Sequence, residues 1–251
     1  MPPLTMPFYI FIFLLGAVIG SFLNVCILRI PAGESIVTGP SHCTACGRRL
    51  RWFELVPVVS WLALRGRCRT CGAAISPQYP LIEAGNALLW LLLFAVLGFT
   101  PQAVLGALLA SALLVLSVID ARTGEIPPGT VIFIAALGGI RLFFDPAHWL
   151  SALIGAVCVS GFLLLVLLVT GGQGVGGGDV KLMAACGLFL GWKLILLAFF
   201  LGCVLGSVIH LLRMRFFRAG RSLALGPYLS AGVLLALLWG NAALAWYFGL
   251  L

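Results

Sequence analysis

Charged residues are what this sequence has least of. Only 9% of its 251 residues are Asp, Glu, Lys or Arg, whereas a soluble domain of this length carries roughly 25%. Seven residues are acidic and three are histidine. This shortage excludes an ordinary soluble domain, and it leaves few side chains that can carry acid–base chemistry.

Apolar residues take the place of charge: they make up 62% of the chain and fall in long runs. A bilayer core about 30 Å thick needs about 20 apolar helical residues to cross it, and spanning segments are helical because their backbone groups must be satisfied internally. We therefore predict an all-α polytopic membrane protein. The runs predict eight transmembrane helices, at roughly 7–28, 81–98, 102–119, 130–144, 149–170, 180–192, 194–212 and 226–248. The runs 130–144 and 180–192 are short for a full span.

The polar stretch 29–80 divides the chain. It predicts a first transmembrane helix at 1–28, a small soluble domain at 29–80 and a transmembrane domain at 81–251. The first apolar run lacks a basic leading region, so we expect no cleavable signal peptide.

Basic residues predict the orientation. The stretch 29–80 holds seven arginines and is expected to be cytoplasmic by the positive-inside rule, with the N-terminus outside. Alternation of eight spans then places 13 of the 15 basic residues inside, including Arg213, Arg215, Arg218 and Arg221, and leaves Arg141 and Lys193 outside. The net charge of +8 is therefore interpreted as membrane orientation, and no nucleic-acid partner is expected.

Four cysteines predict a zinc site in the soluble stretch. Cys43 and Cys46 form one C-x2-C pair, and Cys68 and Cys71 form another. Four thiolates can surround one Zn²⁺ tetrahedrally, and each two-residue gap lets a single turn present two sulfurs. Because four cysteines fill the coordination shell, we predict a structural zinc. A disulfide or redox use is the alternative, and a reducing cytoplasm argues against a structural disulfide.

Two aspartates stand at the ends of apolar runs. Asp120 ends one run, and Asp179 follows three glycines, Gly176, Gly177 and Gly178, and precedes Lys181. The alternation of spans puts both acids at the same membrane face. An ionisable residue in a membrane segment is costly, and its default interpretation is functional. Two adjacent carboxylates share one proton, so one can take a proton from water while the other donates to a scissile carbonyl.

Other interpretations of these acids remain open. Asp120 can be an ordinary solvated residue at the end of a transmembrane helix, and Asp179 can be the N-terminal cap of the helix that follows it. Glu125 is a rival partner for Asp179. A transporter that uses both acids for proton coupling is a further alternative, since glycine-broken helices suit transporters; the shared face of the acids, away from the midplane, argues against it.

The order of the motifs resembles the bifunctional type IV prepilin peptidases, which are GxGD intramembrane aspartic proteases. The resemblance rests on five stretches: Gly20-Ser21-Phe22-Leu23-Asn24-Val25, the two cysteine pairs, Tyr79-Pro80-Leu81-Ile82-Glu83, Gly176-x-Gly178-Asp179-x-Lys181 and Leu225-Gly226-Pro227-Tyr228. It covers nearly the whole chain. One departure is Pro128, where the family usually has an aspartate.

The resemblance implies a function. Asp120 and Asp179 would be catalytic, supported by Gly176, Gly178 and Lys181, and would cleave the basic leader from type IV prepilins or type II secretion pseudopilins at the cytoplasmic face of the bacterial inner membrane. The new N-terminal residue, usually Phe, would be methylated with S-adenosyl-L-methionine. Glu54 and Glu83 are candidates for orienting the amine. A peptidase without methyltransferase activity is the alternative, and the intact cysteine segment favours both activities.

Overall fold

The computed structural model describes residues 6–217 and 224–249, so Arg218 and Arg221 lie outside the described residues. Within those ranges the regular secondary structure is helical, and the cysteine segment consists mostly of turns with two isolated β-bridges. The helices are α1 (Met6–Arg29), α2 (Val59–Ala63), α3 (Gln78–Leu97), α4 (Pro101–Thr123), α5 (Pro128–Phe144), α6 (Trp149–Thr170), α7 (Gly177–Leu190), α8 (Trp192–Phe217) and α9 (Gly226–Gly249). Short 3-10 turns occupy Trp52–Glu54 and Pro146–His148.

The prediction of eight transmembrane helices is wrong in its count. Among the described residues, six helices are long and apolar enough to cross a membrane: α1, α3, α4, α6, α8 and α9. The helices at the two short runs, α5 and α7, have 17 and 14 residues. At 1.5 Å per residue they reach about 25 Å and about 21 Å, less than the bilayer core of about 30 Å.

The first compact unit, Met1–Phe99, is built on the pairing of α1 with α3. Small residues allow this close approach: a Cβ on Gly20 would lie 2.7 Å from Cα of Glu83. Polar groups lock the register. Asn24 donates to the carbonyl of Tyr79 at 3.1 Å, and Asn86 donates to the carbonyl of Gly16 at 2.7 Å. Interhelical bonds of this kind are the usual use of Asn in membrane helices.

The second compact unit, Thr100–Leu251, alternates the direction of its helices. Gly226, at the start of α9, donates to Asp120 near the end of α4. At the other end of the unit, Arg141 from the last turn of α5 donates to the carbonyl of Phe189 near the end of α7, at 2.6 Å. This guanidinium satisfies a carbonyl that the short helix α7 leaves free at its C-terminus, which explains how α7 can end early inside a packed unit.

Candidate active site and cysteine cluster

Asp120 is a buried acid close to the C-terminal end of α4. Its residue is 5% exposed, and its Oδ2 accepts a hydrogen bond from the N–H of Gly226 at 2.9 Å. The helix ends three residues later at Thr123, and its C-cap is Gly124, whose N–H donates to the carbonyl of Asp120 and whose φ of +69° favours glycine. The turn after Asp120 therefore leaves its side chain directed at the first residue of α9.

Asp179 lies in the first turn of α7 and is 9% exposed. Its Oδ2 accepts a hydrogen bond from the N–H of Gly176 at 3.2 Å. An acidic side chain at the third helical position often accepts a hydrogen bond from the N–H of the N-cap residue in this way. The bond satisfies a donor that has no partner within the helix. The expectation that Asp179 caps a helix beginning at Val180 is wrong: α7 begins at Gly177, its N-cap is Gly176, and Asp179 lies inside the first turn.

The two aspartates are close enough to interact electrostatically. The glycines around them make this approach possible. A Cβ on Gly178 would lie 2.9 Å from Cβ of Ile126, in the connection after α4, and a Cβ on Gly226 would lie 2.6 Å from Oδ2 of Asp120. A side chain at Gly178 would push the start of α7 away from the connection after α4, and a side chain at Gly226 would push Asp120 away from the start of α9.

The remaining residues near the acids are placed differently. Glu125, the rival partner, is exposed, and Lys181 is exposed on the surface of α7. Pro128 occupies the first position of α5, where a missing N–H costs nothing because that donor has no partner within the helix. The proline therefore fits the start of α5 without disturbing the turn that carries Ile126.

Gly226 is the site residue whose contact sequence reasoning missed. The sequence indicated Leu225-Gly226-Pro227-Tyr228 only as a motif, without assigning it a contact. A glycine followed by proline before an apolar run is a helix-start signal, but nothing in the sequence shows that this helix start meets Asp120.

The cysteine segment folds into two similar turns. In the first, Gly47 donates to the carbonyl of Cys43 at 2.8 Å; in the second, Gly72 donates to that of Cys68 at 2.9 Å. Both glycines have a φ of +70°, which is why a glycine follows each cysteine pair. The turns bring the four Sγ atoms of Cys43, Cys46, Cys68 and Cys71 within 4.8 Å of one another.

The sulfur geometry fits zinc. Cys43 Sγ lies 3.8 Å from Cys71 Sγ, and four sulfurs at about 2.3 Å from one Zn²⁺ in a tetrahedron are about 3.8 Å apart. Backbone donors of Cys71 and Thr70 lower the pKa of the Cys68 thiol to about 6, and those of Cys46 and Ala45 lower the pKa of Cys43. The first cysteine of each turn thus favours the thiolate form that binds metal. The N–H of Ala73 lowers the pKa of Cys71, but the neighbouring thiols, Cys68 first, raise it to about 11.

The two glutamates nominated from sequence lie in the same unit but have different partners. Glu54 pairs with Arg48 through both carboxylate oxygens, at 2.7 and 3.1 Å, and also accepts from the N–H of Arg51. These donors, Arg48 first, lower the pKa of Glu54. Glu83, in α3, is buried and accepts from the N–H of Val58 at 2.7 Å.

Family models match both parts of the chain. Residues 14–97 match the bacterial peptidase A24 N-terminal domain, and residues 107–211 match the type IV leader peptidase family. The chain belongs to the type IV leader peptidase family. Named relatives include the "Prepilin leader peptidase/N-methyltransferase" of Pseudomonas aeruginosa, which is 35% identical over 91% of this chain and 89% of the relative.

Similarity of this extent is not confined to one group of bacteria. The prepilin leader peptidase/N-methyltransferase of Stutzerimonas stutzeri is 34% identical over 93% of this chain and 91% of the relative. That of Bacillus subtilis is 33% identical over 94% of this chain and 96% of the relative. No solved structure matches the chain.

Proposed function

We propose that this chain removes the leader peptide from type IV prepilins and then N-methylates the new N-terminus with S-adenosyl-L-methionine. Type II secretion pseudopilins are proposed as substrates of the same site. The observation that carries the proposal is the meeting of two buried aspartates, Asp120 and Asp179, in a chain similar over most of its length to prepilin leader peptidase/N-methyltransferases.

Asp120 and Asp179 are proposed to hydrolyse the peptide bond without a covalent intermediate. The ionised carboxylate takes a proton from water, whose oxygen attacks the scissile carbonyl carbon, while the protonated carboxyl donates to the carbonyl oxygen. The C–N bond then breaks, and the amine leaves with a proton. The glycine N–H groups at 2.9 and 3.2 Å fix one oxygen of each acid, which leaves the other oxygen for water or substrate. Gly176 and Gly178 thus support the site through backbone geometry.

The second reaction transfers a methyl group from the sulfur of S-adenosyl-L-methionine to the new amine, which loses a proton. We propose that Glu83 orients that amine. Glu54 is the weaker of the two candidates, because Arg48 and Arg51 already bind its carboxylate. Cys43, Cys46, Cys68 and Cys71 would hold a structural Zn²⁺, whose role is to fold a segment that has little core of its own.

The proposed location is the bacterial inner membrane, with residues 29–80 in the cytoplasm and the N-terminus outside. The arginines of this stretch support that orientation. It places the soluble segment where a basic leader meets the membrane surface. The substrate's apolar helix would lie in the bilayer, so membrane lipid is part of the substrate's environment.

Mass spectrometry of a prepilin-like peptide tests both activities. The purified protein is incubated with the peptide, S-adenosyl-L-methionine and zinc, and the product is weighed. We expect loss of the leader and the gain of one methyl group. Loss of the leader without methylation would support the peptidase-only alternative, and an uncut peptide that a known prepilin peptidase does cleave would contradict the proposal.

A further inference from the structure

Residues 55–64 form an apolar segment inside the otherwise basic soluble stretch. Nine of these ten residues are apolar or proline, and Ser60 is the exception. The segment contains the short helix α2. It is bordered by Glu54 on one side and Arg65 on the other, so the apolar part has charged ends. We refer to residues 55–64 as the apolar segment.

One hydrogen bond fixes the depth of the apolar segment. The N–H of Val58 donates to the buried carboxylate of Glu83 at 2.7 Å. Glu83 lies five residues inside α3, which begins at Gln78 and is long and apolar enough to span a membrane. Five residues of helix correspond to about 7.5 Å, so Val58 lies beside α3 about 7.5 Å along the helix from its first residue.

The helix α2 presents different faces to the protein and to its surroundings. Trp61 faces the protein, since its indole N–H donates to the carbonyl of Ile75 at 3.1 Å. Val59 and Leu62 are three positions apart and therefore share a face, and each is 61% exposed. Leu81, at the start of α3, is also strongly exposed, so apolar exposure continues from the membrane helix to α2.

We propose that the apolar segment inserts into the boundary between lipid headgroups and acyl chains, with Val59 and Leu62 against lipid. Its depth beside α3 brings these side chains to that boundary. Arg51, four positions before the segment, and Arg65, directly after it, are suited to the phosphates of anionic lipids. This surface is distinct from the two aspartates and does not depend on the proposed function.

A nitroxide placed at Leu62 tests this proposal in the full-length protein. The label is attached to p-acetylphenylalanine, which avoids the cysteines, and the protein is reconstituted in nanodiscs of phosphatidylethanolamine and phosphatidylglycerol. Collisions with oxygen and with a water-soluble nickel chelate are measured by electron paramagnetic resonance. Val37 is the matched control, because it is apolar and 88% exposed but lies in the polar loop before the cysteines.

We expect the ratio of oxygen to nickel collisions to be several-fold higher at Leu62 than at Val37. Val59 should behave as Leu62 does, and a thermal unfolding temperature equal to that of the unlabelled protein shows that the labelled proteins are folded. A ratio at Leu62 equal to that at Val37 would place the segment in water and overturn the proposal. Protection of Leu62 from both reagents would also overturn it, since protein and not lipid would then cover the face.

Discussion

Two kinds of donor hold the buried acids of the two compact units. In the Met1–Phe99 unit, a guanidinium binds both oxygens of Glu54, whereas Glu83 accepts from the N–H of Val58. In the Thr100–Leu251 unit, Asp120 and Asp179 accept hydrogen bonds from the N–H groups of glycines, and the two acids interact with each other. A guanidinium neutralises a carboxylate, whereas a backbone amide orients it and leaves its charge in place.

This difference separates acids that support structure from acids suited to chemistry. Glu54 stabilises the turn that leads away from the first cysteine pair, and a bidentate pair of this kind has little freedom to exchange protons. The two aspartates are each oriented on one oxygen and are close enough to interact electrostatically. We therefore propose that the second unit carries out cleavage and the first carries out methylation, and the following predictions test that division.

Replacing either aspartate with asparagine should have the largest effect. Asp120→Asn and Asp179→Asn preserve side-chain shape but remove the proton acceptor, so we expect the rate of leader cleavage to fall by about 10²- to 10⁴-fold, the range of general acid–base catalysis. The measurement is the rate of product formation by mass spectrometry. Glu125→Gln is the matched control, because Glu125 is exposed, and cleavage at the parent rate by either aspartate variant would contradict the assignment.

Loss of the cysteine cluster should remove methylation and leave cleavage within a few-fold of the parent rate. Cys68→Ser removes one of four proposed ligands, and a strong zinc chelator removes the metal; either should unfold the segment. Zinc content and methyl incorporation are the measurements. Cys158→Ser, outside the cluster, is the control and should keep both activities. Full methylation after removal of zinc would show that methylation does not require the folded cysteine segment.

Gly226→Ala tests whether the start of α9 positions Asp120. The added Cβ would lie 2.6 Å from Oδ2 of Asp120, and a displacement of about 1 Å in a catalytic group can cost 10²-fold. We expect kcat for cleavage to fall by about 10- to 100-fold with KM little changed. Gly206→Ala is the control, since its Cβ would make an ordinary contact, 3.5 Å from Tyr228. Equal effects of the two substitutions would indicate general destabilisation.

Glu83→Gln should have the smallest effect. It tests whether Glu83 acts through its negative charge or only as the acceptor that holds the N–H of Val58. Glutamine keeps an oxygen that can accept from the N–H of Val58 but removes the negative charge. We expect a several-fold loss of methylation with unchanged thermal stability and unchanged cleavage. Glu83→Ala, which removes the acceptor as well, should also lower stability. Unchanged methylation in the glutamine variant would mean that Glu83 only anchors the apolar segment.

Much of the architecture could be predicted because membrane helices follow composition. The apolar runs predicted the positions of the six long helices of the described residues. The small residues Gly16 and Gly20 lie where α1 packs against α3. The span count failed because hydropathy does not report packing: α5 and α7 are apolar but short, and the end of α7 is satisfied by Arg141. That contact joins two helices about 50 residues apart in sequence, and no local pattern indicates it.

Some features of the candidate site could likewise be predicted from the sequence, and others could not. The cysteine cluster followed from spacing, since each C-x2-C turn is a local structure. The aspartates could be singled out by the cost of a charge in a membrane segment, but the N–H of Gly226 could not, because its partner lies 106 positions away. Glu83 accepts from Val58, 25 positions away, and this contact could not be predicted from sequence. Glu54 binds Arg48 and Arg51 within six positions, but the sequence alone did not indicate that they form a turn around it.

The most direct test of the division between the units is methylation of an already cleaved pilin peptide by Asp179→Asn. We predict that this variant methylates the cut peptide at the parent rate but fails to cleave the full precursor. Loss of methylation on the cut peptide would contradict the division, because both reactions would then require the aspartates of the second unit.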